Sequence, residues 1–479
     1  MSVLVIDVGT SNVRAARVED DGRCAAVAQR RLLPARPAPG VVELDALGLA
    51  KVVRDLALGL GNGGGPIEAV GIAAQRATTL LWSRDSGEPV GPGISWQDLR
   101  TAGRCLALRA QGIRMTPNQS ATKLAYLLDT YDRTRSMDVC FGTVESYVAW
   151  VLSEGTLHAS DASNAAVTGL VCPDASAWDP DVLAALRIPE DCLPRLCDST
   201  GVLGDARALP GSPPIAALVG DQQASLIGQG CLAPGQAKAT FGTGAMLDCS
   251  TGTQRPSYEQ RGEAGTFPIV AWQVAGERRW GLEAVMLSAG SCLEWCCQLG
   301  LLSTPAESEE LAASVRDAGG AFFVPALSGM GTPIWDFGAR GAFVGLDPSI
   351  GRAQLVRSIL EGIAHRGADL VEAVESDAHL EVPVLRVDGG MSANGTFLQL
   401  LADATGKVIE AAAEVEATTL GAAFLAGVAV GTWPSLEAAA ATRPPRATYT
   451  PHRRLDRTRW ADARAHALRS VPALSALDF

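Results

Sequence analysis

Asp221 stands in the run Gly220-Asp221-Gln222-Gln223, and Phe241-Gly242-Thr243-Gly244 follows it along the chain. A carboxylate can take the proton of an alcohol. A glycine-framed Thr turn can bring backbone N–H groups and a hydroxyl against a phosphate, because glycine has no Cβ to block close approach. A base and a phosphate cradle are what phosphoryl transfer to a hydroxyl needs. Two more glycine turns flank this pair. One is Asp7-Val8-Gly9-Thr10-Ser11-Asn12, and the other is Asp388-Gly389-Gly390-Met391-Ser392-Ala393-Asn394. Any one of them alone reads as an ordinary tight loop. Three in this order on one chain point to a nucleotide-dependent transfer.

The elements around these turns follow from the apolar pattern. Residues 3–6 read as a buried strand that delivers Asp7 to its end, and residues 13–18 return as a second strand, so the first turn is a hairpin tip. Residues 384–387 read as a strand leading into Gly389-Gly390, and 397–405 as a helix, a geometry suited to a nucleotide. Further strands are expected over 69–73, 216–219, 237–241 and 321–324. Helices are expected over 47–58, 99–111, 123–132, 282–299, 354–375 and 418–430. The glycine-rich stretch 61–66 and the proline-rich stretch 210–214 are loops, and the basic segment 443–454 reads as a solvated surface stretch. Strand and helix alternate, which gives an α/β class. The strand–turn–strand at 237–247 repeats the one at the N-terminus, which predicts an internal duplication. The expected domains are 1–235 and 236–479, with the ligand cleft between them.

Composition sets limits on partners. The chain has 479 residues, too many for one core, with 47% hydrophobic and 19% charged residues and a net charge of −12. That charge argues against nonspecific nucleic-acid or anionic-membrane binding, though not against a nucleotide held by local dipoles and a metal ion. No run is apolar enough to span a bilayer, and no signal peptide is expected. Eleven dispersed cysteines without a Cys-x-x-Cys pair argue against zinc and for buried thiols in a reducing cytoplasm. The five histidines show neither triad nor metal spacing.

With these motifs in place, the chain resembles the FGGY family of carbohydrate kinases, within the sugar kinase, heat-shock protein and actin superfamily, over essentially its whole length. Gly341-Ala342-Phe343-Val344-Gly345-Leu346, with Gln354-Leu355 and Ser358-Ile359-Leu360-Glu361 downstream, resembles the family's C-terminal signature. The N-terminal signature is looser. Ser120-Ala121-Thr122-Lys123-Leu124 fits, while Asn118 and Tyr126 depart from it. Within the family, five segments are most similar to glycerol kinases: Gln75-Arg76-Ala77-Thr78-Thr79, Trp96-Gln97-Asp98, Gly220-Asp221-Gln222-Gln223-Ala224, Arg386-Val387-Asp388-Gly389-Gly390 and Thr418-Thr419-Leu420-Gly421-Ala422-Ala423.

The resemblance implies two actin-like (ribonuclease H-like) domains, with ATP and Mg²⁺ as cofactors. Asp221 would be the general base. Asp7, Thr10, Ser11 and Arg14 would meet the transferred phosphate, with Asp7 and Asp221 holding Mg²⁺ through water. Gln75, Arg76, Trp96, Asn118 and Gln222 would line the acceptor. Gly242, Thr243, Gly244, Gly290, Glu294, Gly390, Met391 and Asn394 would border the nucleotide. A small polyol or sugar is the expected partner, and a homodimer or homotetramer the expected assembly. Substrate is where the departures fall. Ala77 replaces a carboxylate, Asn118 a tyrosine and Met246 an aromatic residue. Glycerol is therefore the first expectation, and a longer polyol (tetritol or pentitol) or a ketose the alternative. A non-catalytic sugar- or nucleotide-binding protein of the superfamily is the reading from another class. It would be expected to lose Asp221, which is present.

Overall fold

The computed structural model describes residues 2–61, 63, 65–413 and 417–477. The expected loop over 61–66 includes Asn62 and Gly64, which lie outside the described residues. Two mixed sheets organise the chain. The first contains β1 (Ser2–Val8), β2 (Asn12–Glu19), β3 (Cys24–Arg31), β4 (Ala69–Ala74), β5 (Thr200–Asp205) and β6 (Pro214–Gly220), in the order β5-β6-β4-β1-β2-β3. The second contains β7 (Ala237–Phe241), β8 (Ala245–Gly252), β9 (Phe267–Val274), β10 (Glu277–Met286), β11 (Val384–Asp388), β12 (Val408–Ala411) and β13 (Ala447–Tyr449), in the order β9-β10-β8-β7-β11-β12-β13. The duplication is plain in the pairing. β1 is antiparallel to β2 and parallel to β4, and β7 is antiparallel to β8 and parallel to β11. The five-strand run β3-β2-β1-β4-β6 thus recurs as β10-β8-β7-β11-β12.

Period-two alternation decides which layer covers each face. In the first sheet Leu4, Ile6 and Val8 join a core with Val53 of α1 (Ala46–Gly61) and Val148 of α2 (Val144–Leu152). Val3 and Val5 face the other way, with Leu226 of α3 (Asp221–Gly228) and Phe424 from the second half of the chain. In the second sheet Ala237, Ala239, Phe241, Leu385 and Val387 share one core. Its helices are α4 (Gly290–Gln298), α5 (Arg352–Ala378) and α6 (Gly395–Thr405). The opposite face carries Lys238, Asp248 and Glu283, all buried.

The two halves are joined by α3 and α7 (Ala417–Val430), which pack backbone to backbone. A Cβ on Gly421 would stand 1.8 Å from the Ala224 carbonyl oxygen, and one on Gly228 would stand 2.0 Å from that of Ala417. Only glycine permits this approach. α7 then lies on the first sheet against β1, β4 and β6, so the last long helix of the second half closes the core of the first.

Two expectations fail. Residues 282–299 are not one helix: β10 runs to Met286 and α4 begins at Gly290. A strand buried on both faces loses its alternation, and its apolar run merges with that of the helix. The basic segment 443–454 is not wholly a solvated stretch. β13 lies within it and pairs with β12, and Arg446 donates to the Ser392 carbonyl.

Two histidines give the fold a pH dependence. His365 stacks on Trp460, with ring centroids 4.9 Å apart, and burial depresses it to about 3 with Arg457 acting in the same direction. His158 lies edge-on to Trp82 and Trp150, and burial depresses it to about 4. Unfolded histidine titrates near ~6.5. Below that pH the unfolded chain binds protons that the native one refuses, so stability falls as pH drops. Tm is expected to be lower at pH 5 than at pH 7. The double variant His158→Phe/His365→Phe should flatten that slope. Asp369, held down at about 2 among Arg366, Arg464 and Arg457 despite its burial, contributes only to a further loss below ~4.

Candidate active site

Asp221 is the first residue of α3, directly after β6. Its setting is fixed from three sides. Ser163 Oγ accepts from the Gly220 N–H at 3.0 Å, and Asp161 caps the short helix that carries Ser163. Thr418 of α7 donates to the Asp221 carbonyl at 3.2 Å. Asp221 Oδ1 accepts from the Gln222 N–H at 2.8 Å, where the positive end of the helix favours the anion. Arg76 Nε stands 3.6 Å from the same oxygen, and Arg76 Nη2 donates to Glu283 Oε2 at 2.6 Å. Arg76 thus crosses from the first sheet to the second and touches two carboxylates. Burial pushes the Asp221 carboxyl above its usual range, and Arg76 opposes that shift. The Asp221 side chain remains 27% exposed, so its free edge is open to a reactant.

The N-terminal hairpin brings the phosphate candidates together. Asp7 and Arg14 are cross-strand partners, with Arg14 Nη1 3.8 Å from Asp7 Oδ2, and Arg14 also donates to Gln29. The Gly9 N–H donates to the Asn12 carbonyl, which closes the turn that carries the half-buried Thr10 and Ser11. Trp96 Nε1 donates to Thr10 Oγ1 at 3.2 Å. Gln75 is buried; its backbone N–H donates to the Val8 carbonyl and its side chain to that of Gly9. Gln75 therefore pins the turn, while Arg76 beside it points at the base.

Three glycines weld the nucleotide candidates into one surface. A Cβ on Gly244 would meet the Met286 carbonyl at 2.6 Å, one on Gly290 that of Gly242 at 2.6 Å, and one on Gly389 that of Phe241 at 2.6 Å. Gly389 also has φ +82°, a conformation that favours glycine. The Ala289 and Ser291 N–H groups donate to the Thr243 carbonyl, so the N-terminus of α4 is tied to the turn. Gly390 has open space where its Cβ would be, as a ligand-facing position needs. Met391 is buried against Gly290, and Glu294 is exposed on α4. Asn394 has a structural commitment besides: its side chain accepts from the Phe397 N–H at 2.8 Å and caps α6.

Asn118 is exposed, and its carbonyl accepts from Lys123, a lysine that burial depresses to about 7. Among the described residues, no hydrogen bond or ion pair joins Asn118 to Arg76 or Asp221. Ala77 is buried, with φ +59°. The sequence reading missed Lys238, Asp248 and Glu283, and it named Asp388 only as part of its turn. Lys238 Nζ donates to Gln222 Oε1 at 2.6 Å and pairs with Asp248 at 2.8 Å, and Ser225 donates to Asp388. Their signal was there, in charged residues at alternate positions of otherwise apolar strands.

Among the described residues no group of three or more His, Cys, Asp or Glu could hold a metal ion by itself. Mg²⁺ in kinases keeps several waters and is held by one or two carboxylates plus the phosphates of its nucleotide. Asp7 and Asp221 are the two carboxylates that the sequence reading put forward for it.

Residues 2–228 match the N-terminal domain of the FGGY family of carbohydrate kinases, and residues 237–430 match its C-terminal domain. The glycerol kinase of Halorhodospira halophila is 38% identical over 466 residues, covering 93% of this chain and 91% of its own. That of Thermus brockianus is 39% identical over 449 residues, covering 90% of each. Among solved structures, Plasmodium falciparum glycerol kinase with ADP superposes with a TM-score of 0.88 at 25% identity, covering 100% of this chain and 99% of that one.

Proposed function

This chain belongs to the FGGY family of carbohydrate kinases, and from that premise we propose that it transfers the γ-phosphoryl group of ATP to a terminal hydroxyl of glycerol, giving glycerol 3-phosphate. The observation that carries this reading is the base with its clamp. Asp221 begins a helix at the junction of the two halves, with Arg76 beside it and Gln222 next in sequence.

In the transfer, Arg76 and Gln222 bind the acceptor's hydroxyls and turn the reacting one toward Asp221. Asp221 accepts its proton as the phosphoryl group moves in line. Arg14 and the Thr10–Ser11 turn meet the charge that spreads over the phosphoryl oxygens. The Gly242-Thr243-Gly244 turn and the Gly389-Gly390 turn hold the nucleotide from the second sheet. Asp7 and Asp221 would hold Mg²⁺ through water, and the ion would supply neutralisation of phosphate charge. Closure of the halves would exclude water, which otherwise competes as acceptor.

A second reading rests on Ala77, on the exposed Asn118 and on Met246. Side chains of larger bulk or greater polarity are expected at these places in a glycerol site, so a tetritol, pentitol or ketose would find room. ADP release with MgATP against glycerol, dihydroxyacetone, tetritols, pentitols and ketoses separates the two. Glycerol is expected to give the highest kcat/KM. A clear win for a longer acceptor would redirect the assignment, and ADP release equal with and without any acceptor would remove it.

A further inference from the structure

The polar face of the second sheet carries a row of charges at matched register. Glu283 of β10 pairs across the strands with Asp248 of β8, Asp248 with Lys238 of β7, Lys238 with Arg386 of β11, and Arg386 with Glu410 of β12. Lys238 and Asp248 are both 0% exposed. Such a row is costly to bury unless its members are paired. Asp248 has its ion pair with Lys238 through Oδ2, and its carboxyl also meets that of Glu283, its cross-strand neighbour, a contact that favours the proton on Glu283.

Two contacts lead from this row to the acceptor residues. Lys238 donates to the Gln222 side chain at 2.6 Å, and Glu283 accepts from Arg76 at 2.6 Å. Gln222 and Arg76 are the side chains assigned above to the acceptor's hydroxyls. We propose that Asp248 and Glu283 are positioning residues that preset the acceptor site: Asp248 fixes Lys238 and through it Gln222, while Glu283 fixes Arg76. The inference rests on the assignment of Arg76 and Gln222 to the acceptor. Their anchors lie on the sheet that holds the nucleotide, so binding in one half is registered in the other.

The charged groups that act on Glu283 are Arg76 from the loop after β4 and Asp248 on β8; Asp221 at the start of α3 shares Arg76 with it, and Lys238 on β7 pairs with Asp248. Burial pushes Glu283 up to about 7; Arg76 opposes this and Asp248 adds to it. A carboxyl that holds its proton near neutrality leaves more of the Arg76 charge for Asp221 and the acceptor.

The test compares wild type with Asp248→Asn and with the double variant Asp248→Leu/Lys238→Met, which removes the buried ion pair as a unit and so avoids an orphaned charge. Tm is measured alongside, and KM is determined separately for glycerol and for ATP. The double variant is expected to fold and to raise the glycerol KM about tenfold, the scale of one lost charge-assisted hydrogen bond, while the ATP KM stays within about twofold. Asp248→Asn removes the carboxylate opposite Glu283. It should move the near-neutral inflection of kcat/KM for glycerol downward by ~1 pH unit. A folded double variant with both KM values unchanged, or both raised alike, overturns the positioning role. So does an inflection that stays in place in Asp248→Asn. A wild type that phosphorylates no polyol overturns the acceptor assignment itself, and the positioning role with it.

Discussion

Asp221→Asn is expected to lower kcat by about 10²- to 10⁴-fold, the range for losing a general base, with the KM for ATP nearly unchanged. The substitution is isosteric and keeps an oxygen to accept from the Gln222 N–H, so the start of α3 should survive. What it removes is the group that takes the proton. The pH profile should carry the same signature. Burial holds the Asp221 carboxyl above its ordinary range. The base must be ionised to act, so the acid limb of kcat/KM should lie above ~4, where an unperturbed carboxylate titrates. That limb should vanish from the residual activity of Asp221→Asn. A variant that released ADP at the wild-type rate in the presence of glycerol would remove Asp221 from the chemistry.

Arg76→Met has the second large effect, and it acts on stability and activity together. The guanidinium pairs with both Asp221 and Glu283, at 3.6 and 2.6 Å, and its own side chain is 12% exposed. Although burial opposes its charge, Glu283 and Asp221 together raise its pKa. Removing it leaves two carboxylates facing each other's field in a largely enclosed site, which costs about 3–5 kcal/mol. kcat/KM should fall by about 10²-fold or more, since the acceptor loses a charged hydrogen-bond donor at the same time. Two further readings separate the causes. Without Arg76 the Asp221 carboxyl rises further, so the acid limb should shift to higher pH. Adding Glu283→Gln should recover much of the lost Tm and little of the activity. Recovery of both would make Arg76 a structural bridge with no part in binding.

The glycine turns were legible in the sequence because each is written in consecutive letters. Gly389 with its positive φ, and Gly244 and Gly290 with no space for a Cβ, admit no other residue cheaply. Asp7, Asp221 and Asp388 are strand-end carboxylates beside such turns, so their positions could also be read. The α/β class and the duplication followed from strand and helix alternation around them. The segment 282–299 was misread because Leu282, Ala284 and Met286 continue without a turn signal toward α4, and the break lies in Ser288-Ala289, neither of them a strong helix breaker. The charged row was not legible as a unit. Lys238, Asp248 and Glu283 are each visible as a polar residue in an apolar strand, but their pairing depends on register across β7, β8 and β10. The contact of Arg76 with Glu283 spans 207 residues of sequence, and only the docking of the two halves creates it. Gln75 and Asn394 were read as ligand contacts from their motifs. The fold gives each a local duty as well, one pinning the Gly9 turn and the other capping α6.

The central claim is phosphoryl transfer to glycerol by the base at Asp221, and the most direct measurement follows both products of one reaction. Wild-type protein is incubated with MgATP and glycerol, and ADP and glycerol phosphate are quantified together, with Asp221→Asn alongside. The account predicts one glycerol 3-phosphate for each ADP in wild type, ADP formation that depends on glycerol, and loss of both products in the variant. ADP formed without glycerol phosphate, or glycerol phosphate formed equally well by Asp221→Asn, would contradict it.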